Sequence, residues 1–335
     1  MPLPLISILI PFKNTSNYLN ECIDSIINQT FTNWELLIVD DGSTDDSFDI
    51  VSKYTKEDKR IKLFKNKGSG IIEALRLGFK HSSGTFITRM DSDDIMTPNK
   101  LEVMVNSLQK YGKGHIAIGL VHYFSKEGIS EGYSNYEQWL NKLTRKGENY
   151  SEIYKECVVP SPCWMTSKED LIKCEAFKPN RYPEDYDLAF RFYKYGLTCI
   201  KSNNMLHHWR DYPIRTSRTH EHYAQNHFIE LKLHYFLELN YDNSRPLTIW
   251  GAGHKGKTVA KALVEKNIPF YWICDNPKKI NKHIYNQQLK EFKYLEHLNN
   301  PQSIITVANT EAQKEIKLYL HNQNMKTMED YFFFC

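Results

Sequence analysis

The sequence predicts an α/β protein, a doubly wound sheet followed by a smaller α/β domain. Continuous apolar runs alternate with helix-spaced segments through the first half. Two acidic clusters stand where such runs end, which is the ligand side of a doubly wound sheet. After a polar linker at 240–246 the pattern restarts as strand, glycine-rich turn and helix.

The chain of 335 residues exceeds one ordinary domain, and the expected division is 1–240 and 241–335. A hydrophobic content of 41% is ample for a core in a soluble protein. A formal charge of +3 with no long basic run argues against nucleic acid as a partner. Seven cysteines, odd in number and without a C-x-x-C pair, read as reduced thiols in a cytosolic protein. The apolar opening at 1–10 lacks a basic leader and reads as a strand, not a signal peptide. No apolar run approaches the roughly 20 residues of a membrane span, so an embedded polymer synthase is not expected and surface attachment stays open.

In chain order, Leu5–Ile10 is a β-branched run suited to a parallel strand buried on both faces. Pro11, Phe12, Lys13 and Asn14 break it, and Leu19, Cys22, Ile23, Ile26 and Ile27 recur at helical spacing. Trp34–Val39 reads as the second strand and ends in Asp40 and Asp41. A helix over 47–54, a strand over 61–64, a glycine-rich turn at 67–70 and a helix over 71–81 follow. Phe86–Met90 is the next strand, and it runs into Asp91-Ser92-Asp93-Asp94. Asp91 and Asp93 are one residue apart, so in extended backbone both project to the same side. Two hard oxygen ligands at a strand end suit Mg²⁺ or Mn²⁺, with a phosphate completing the charge, whereas a bare D-x-D can equally be a solvated turn. A further strand is expected at Ile116–Val121. A helix opens at Glu184, Asp185 and Asp187, acids that the macrodipole also favours there, and Gly196 closes it.

The stretches ISILIPFKN, WELLIVDDGSTDDS, GIIEALRLGFKHSSGTFITRMDSDD and YPEDYDLAFRFYKYG occur in that order. They resemble the successive motifs of family 2 glycosyltransferases with the GT-A fold, over roughly 4–240. The resemblance implies a mixed GT-A sheet and an inverting, metal-dependent transfer from a nucleotide-sugar, with a UDP-sugar expected. Pro11 would shape the base pocket and Asp41 would bond the base or ribose. Asp91 and Asp93 would hold Mn²⁺ or Mg²⁺, with Asp91 also at the donor. Asp185 would be the general base, since a sugar hydroxyl is a poor nucleophile until a carboxylate takes its proton. Glu184 would orient the acceptor or neighbouring cations. Arg76 and Arg89 flank the pocket and are candidates for the diphosphate, with a structural ion pair as the alternative for each.

Towards the end of this domain, Arg215 and Arg218 are expected to close over the diphosphate, because guanidinium forks match phosphate oxygens. His208 is the candidate third metal ligand by analogy with related folds. Six of the thirteen histidines lie between His207 and His234, at no standard zinc spacing. Trp164 is a candidate to stack on a sugar, while Tyr133, Tyr136 and Trp139 read as core. The Q-x-x-R-W signature of processive synthases is absent, so one sugar per binding event is expected. The expected acceptor is a glycan or lipid-linked glycan, in bacterial surface polysaccharide synthesis. The expected setting is cytoplasmic or the inner face of the membrane, with peripheral membrane association and a homo-oligomer left open.

The second domain opens with Leu247–Trp250 as a strand, Gly251-Ala252-Gly253-His254-Lys255-Gly256, a helix over 257–266 and a strand ending at Asp275. That is a G-x-G-x-x-G in strand–helix context with an acid about twenty positions on. Gly251, Gly253, Gly256 and Asp275 are therefore a candidate ligand site in a Rossmann-like fold, a structural or assembly role being the other reading. Too little chain follows Asp275 for a dehydrogenase catalytic domain, which weakens a dinucleotide-dependent oxidoreductase. A sugar-phosphate nucleotidyltransferase is disfavoured by the lack of a long glycine-rich basic loop after the first strand. A non-catalytic binding protein is disfavoured by intact Asp91, Asp93 and Asp185. The apolar tail Tyr331–Cys335 is expected as a terminal strand or a subunit contact.

Overall fold

The computed structural model describes residues 3–213, 215 and 225–335; Arg218 lies outside them. The chain divides into two compact units, Met1–Tyr150 with Val158–Thr219, and Ser151–Cys157 with His220–Cys335. Residues 225–240 thus group with the second unit.

The first unit opens β1 (Ile6–Phe12), α1 (Ser16–Ile27), β2 (Trp34–Asp40), α2 (Ser47–Glu57), β3 (Ile61–Lys65), α3 (Ile71–His81) and β4 (Phe86–Arg89). It continues with β5 (Ile95–Met96), α4 (Lys100–Tyr111), β6 (His115–Ile118), β7 (Leu120–Phe124) and α5 (Glu131–Lys146). β8 (Trp164–Ser167), α6 (Lys168–Lys173), α7 (Glu184–Lys194), β9 (Thr198–Ile200) and β10 (Met205–Arg210) complete it. The main sheet runs β3-β2-β1-β4-β8-β6-β9, and β5-β10-β7 form a second sheet. β3, β2, β1 and β4 are mutually parallel, and β8 inserts antiparallel between β4 and β6. Every residue of β1 and β2 is buried, as their unbroken apolar runs require of central parallel strands.

Gly119 divides the strand expected over Ile116–Val121 into two that join different sheets. A Cβ on Gly119 would come within 2.6 Å of the Leu206 side chain, so the two sheets meet there too closely for any other residue. The segment at 131–146, without a helix in the sequence reading, is a helix capped by the Ser130 hydroxyl and closed by left-handed Gly147. Its Tyr133, Tyr136 and Trp139 pack on the core, as expected. Trp164 is 1% exposed in β8 with its ring edge-on to Phe192, so it is core and not a sugar platform.

The amino ends of the parallel strands are tied by one buried carboxylate. Glu35 Oε1 accepts from Ser7 Oγ (2.6 Å), Ser83 N (2.6 Å) and Ser83 Oγ (2.8 Å), and Oε2 from Lys62 Nζ (2.8 Å). Burial alone would raise its pKa, but the bonds from Lys62, Ser7 and Ser83 outweigh it and hold the carboxyl down at about 2.

The second unit contains α8 (Gln225–Leu239), β11 (Leu247–Trp250), α9 (His254–Glu265), β12 (Tyr271–Cys274), β13 (His283–Ile284), β14 (Gln287–Glu291), β15 (Gln302–Ile305), α10 (Thr310–Asn322) and β16 (Tyr331–Phe333). Its sheet has the order β13-β14-β12-β11-β15-β16, parallel except for β13 at the edge. The aromatic tail forms β16, the terminal strand expected of it. Phe332 packs on Phe236 (5.0 Å between centroids) and Phe334 stacks on Tyr154 (5.4 Å). These contacts, with Lys232 Nζ donating to Lys155 O (2.6 Å) and Phe334 O (3.3 Å), draw α8 and the 151–157 segment into this unit. Among the described residues no helix is long and apolar enough to cross a membrane, and no two cysteines are joined in a disulfide.

Removing the Glu35 carboxylate leaves Ser7 and Ser83 donors without their acceptor. Glu35→Ala is expected to lower stability by on the order of 2 kcal/mol at pH 7, read as a shift in the urea midpoint. Because the folded pKa is depressed, this contribution is present above about 4.5 and disappears as pH falls towards about 2.

Candidate active site

The candidate residues of the first unit gather at the carboxyl ends of its parallel strands. Pro11 is buried near the end of β1, where Pro11 is in register with Val39 and Phe12 with Asp40. Asp41 N donates to Phe12 O (2.9 Å), which fixes Asp41 beside that strand end. The Asp41 carboxylate accepts from Asn66 Nδ2 (2.6 Å) and Gly70 N (2.9 Å), shaping the turn into α3. Gly70 has φ +98°, and a Cβ there would stand 3.0 Å from Tyr182 Oη. The backbone and the neighbour both select glycine. Arg76, a candidate for the diphosphate or for a structural ion pair, bonds Glu73, the carbonyls of Phe177 and Lys178, and Asn180 Oδ1, so it staples α3 to the 177–180 loop.

Arg89 is the last residue of β4 and its side chain is only 4% exposed. Its Nη2 lies 3.1 Å from Asp91 Oδ1 and its Nη1 3.0 Å from Glu184 Oε1. The ion-pair alternative is therefore the observed one: Arg89 joins the acidic end of β4 to the first residue of α7. Glu184 is engaged with this arginine and is itself buried. Next to it, half-buried Asp185 has its carboxyl pushed up to about 7, by burial first and by the Glu184 charge second, with Arg89 opposing. Asp187 has a structural part, bound by Arg181 Nη1 (3.0 Å) and Arg191 Nε (2.9 Å).

Asp91 and Asp93 do converge. Their Oδ2 atoms lie 4.0 and 3.9 Å from the guanidinium of Arg215. Asp93 Oδ2 also accepts from the Tyr212 hydroxyl (2.8 Å). Burial, then repulsion from Asp94 and Asp91, push the Asp93 carboxyl up to about 7 against the pull of Arg215. Two carboxylate oxygens directed at one cation, in a cluster short of positive charge, fit a divalent metal of the Mg²⁺ or Mn²⁺ type.

Asp94 does not join them. Its Oδ2 bonds His207 Nε2 (2.9 Å) and its Oδ1 accepts from Arg210 N (2.8 Å). His207 Nδ1 lies 3.3 Å from Lys100 Nζ, which also donates to Pro162 O (2.6 Å). An ammonium only donates, so Nδ1 accepts and the ring proton sits on Nε2, facing Asp94. Burial first, and then Lys100, hold the His207 pKa well below its ordinary value, so the ring is neutral. The sequence reading missed His207, Lys100 and Tyr212. It chose His208, whose ring meets His122 (6.1 Å) and Phe124 (6.3 Å) on β7. Among the described residues no three His, Cys, Asp or Glu side chains gather to hold a metal, so the two aspartates are the ligands in view.

A family model described as glycosyl transferase family 2 matches residues 7–174, half of the chain. The chain belongs to glycosyl transferase family 2. A glycosyltransferase of Haemophilus influenzae is 43% identical over 204 residues, covering 60% of this chain and 74% of that protein. The glycosyltransferase GlyA of Streptococcus pneumoniae is 28% identical over 211 residues, covering 61% of this chain and 30% of GlyA. A Rickettsia bellii glycosyltransferase is 31% identical over 180 residues, covering 54% of this chain and 24% of its own. The chain thus spans a quarter to a third of the length of these last two. Among solved structures, TarS 1–349 of S. aureus, in complex with UDP-GlcNAc, has a TM-score of 0.56 at 17% identity, covering 77% of this chain and 71% of that one. The mannosyltransferase PcManGT of Pyrobaculum calidifontis, in complex with GDP-Man and Mn²⁺, has a TM-score of 0.51 at 16% identity, covering 70% and 64%. At such identities the likeness speaks for the fold, and the expected GT-A class stands.

For this family 2 chain, cutting the Arg89 bridge removes the buried positive charge shared by Asp91 and Glu184. Arg89→Met is expected to lower stability by about 3–5 kcal/mol in urea unfolding, more than Arg76→Met at the half-buried staple. An equal, small effect of the two would refute the bridging role.

Proposed function

We propose that the protein is an inverting, metal-dependent glycosyltransferase that moves a sugar from a nucleotide-sugar, with a UDP-sugar as the expected donor, to a hydroxyl of a glycan or lipid-linked glycan. The observation that carries this reading is the Arg89 bridge. It supports a single site in which the D-x-D end of β4 and the carboxylate of α7 work on one substrate pair. A donor with Mn²⁺ in PcManGT and a nucleotide-sugar in TarS are consistent with the same chemistry here.

The division of labour follows from charge and burial. Asp91 and Asp93 would hold the metal, which when bound offsets the negative charge of the nucleotide diphosphate as it leaves. Asp185 takes the proton of the acceptor hydroxyl as that oxygen attacks the anomeric carbon from the face opposite the diphosphate. Its raised pKa makes it a stronger base than an ordinary aspartate while leaving it ionised in mildly alkaline solution. Glu184, paired with Arg89, holds the start of α7 in place, and its charge adds to the negative field that raises Asp185. Arg215, close to both D-x-D carboxylates, would pair with the diphosphate. Biosynthesis of a bacterial surface glycan, at the cytoplasmic face of the membrane, is the proposed setting; the bacterial relatives support it.

Base and metal ligands do separate work, so their losses should differ. Asp185→Asn is expected to lower kcat at least a hundredfold with donor affinity kept, whereas Asp93→Ala should abolish Mn²⁺-dependent donor binding in calorimetry. A near-normal rate in Asp185→Asn would sink the base assignment.

The pH dependence has a definite sign. Asp185 is the base only when deprotonated, so kcat should fall as pH drops below about 7, tenfold per unit on the acid limb. The stability effect is opposite. Asp93 and Asp185 have folded pKa values above their unfolded ones, so their stabilising protonation is complete below about 4 and is lost as pH rises to about 7. In EDTA, Asp93→Asn is therefore expected to raise the melting temperature at pH 8, and to raise it less at pH 5.

A further inference from the structure

The second unit holds a cavity of its own. It measures about 480 Å³, within the range of small-molecule sites, and lies at the carboxyl ends of β11, β12 and β15. β11 has β12 on one side and β15 on the other, so the sheet order reverses at this point. In an open parallel sheet that crevice is where ligands bind.

The three glycines of the turn after β11 have different reasons to be glycine. Gly251 has φ +116°, and its Cβ would lie 2.7 Å from Thr306 Oγ1. Gly256 is pressed against the turn, with its Cβ 2.2 Å from Gly251 O. The fold itself explains both. Gly253 is different: its φ of −78° suits any residue, and nothing lies within 4 Å of where its Cβ would be. Neither conformation nor packing in the chain asks for glycine there. The space it leaves open is part of the cavity.

Two charged side chains also line the cavity. Lys255, in the first turn of α9, and Asp275, just past β12, line the cavity, and neither forms a hydrogen bond or ion pair among the described residues. Lys279 Nζ adds a second positive charge at the turn, donating to Ala252 O (2.7 Å).

We propose that this cavity binds a nucleoside diphosphate group. The diphosphate lies over the bare backbone of Gly253 at the amino end of α9, beside Lys255 and Lys279. Asp275 accepts from the ribose hydroxyls, and its charge excludes a ribose phosphorylated at the 2′ position. The group has two sources, the nucleotide of a nucleotide-sugar or the ADP half of a dinucleotide.

Calorimetric titration of the full chain carrying Asp93→Ala, in EDTA, tests this apart from the transfer site. The probes are UDP, UDP-glucose, ADP, NAD, NADP and inorganic pyrophosphate. One saturable site is expected for the UDP compounds or for ADP and NAD, and which pair binds identifies the source. Adding Gly253→Val, which puts a branched side chain on the backbone that the diphosphate lies over, should weaken it at least tenfold. Asp275→Ala, an exposed change that keeps the question open if Gly253→Val does not fold, should do the same. No nucleotide binding in the Asp93→Ala chain would overturn the proposal. So would binding untouched by Asp275→Ala, pyrophosphate binding as tightly as nucleotides, or NADP binding as tightly as NAD. Loss of transfer by Asp185→Asn bears on the first unit alone, so the two readings fail separately.

Discussion

A guanidinium buried between two carboxylates from distant parts of the chain sets the geometry of the first unit's site. Arg89 and Glu184 are 95 residues apart in sequence and 3.0 Å apart in space, each about 5% exposed or less. Charges taken so far out of water persist only when paired. The start of α7 therefore has to sit at the end of β4, whatever the loops between them do. Its position also decides the electrostatics. One arginine faces Asp91, Glu184 and, less directly, Asp185, so it cannot neutralise them all. The remaining negative charge falls on Asp185, where a base is useful.

A second buried network does for the D-x-D turn what Arg89 does for α7. Asp94, His207, Lys100 and Pro162 O form a chain of polar contacts through the interior, linking the turn after β4 to β10, to α4 and to the loop before β8. With Asp94 held this way and Arg210 Nε donating to Asp93 O (2.7 Å), the backbone of the turn is fixed from below. Asp91 and Asp93 can then present their oxygens together although they repel each other. All three acids in the motif feel the charge of Arg215, and Asp94 is the one that also anchors the turn.

The parallel half of the sheet and the D-x-D were legible because both rest on short-range pattern. Leu36 to Val39 reads as a buried strand from four consecutive apolar residues, and Asp91 and Asp93 share a side through strand periodicity alone. α5 was legible in principle, with Ser130 as cap, Gly147 as stop and Tyr133, Tyr136, Leu140 and Leu143 at helical spacing, but its aromatics drew attention away from the period. β8 offered no such signal. Four residues inserted antiparallel between β4 and β6 have no local signature, and Trp164 looked like a surface platform only because its burial is a property of the sheet around it. The part of His207 was hidden for the same reason: which residue of β10 meets Asp94 is not contained in sequence spacing. The grouping of 225–239 with the second unit was not legible, because the partners of Phe236, namely Tyr154, Phe332 and Phe334, lie far away in sequence on both sides.

Burial alone does not separate a working carboxylate from a structural one, and the sheet of the first unit contains the comparison that shows why. Glu35 and Asp93 lie at opposite ends of the same group of strands, and both are buried below 9% exposure. Glu35 is held down at about 2 while Asp93 is pushed up to about 7. The difference lies in the donors. Glu35 receives two hydroxyls, a backbone N–H and an ammonium at 2.6–2.8 Å, enough to repay its desolvation. The Asp93 side chain receives one hydroxyl at 2.8 Å and an arginine at 3.9 Å, with two more aspartates in the same turn. A carboxylate whose hydrogen bonds are already filled by its own chain is finished structure. One that is buried, crowded by like charge and short of donors is stable as an anion only when something else supplies the positive charge. That shortage is the physical sign of a site, and in this sheet it lies at the carboxyl ends of the strands and not at the amino ends.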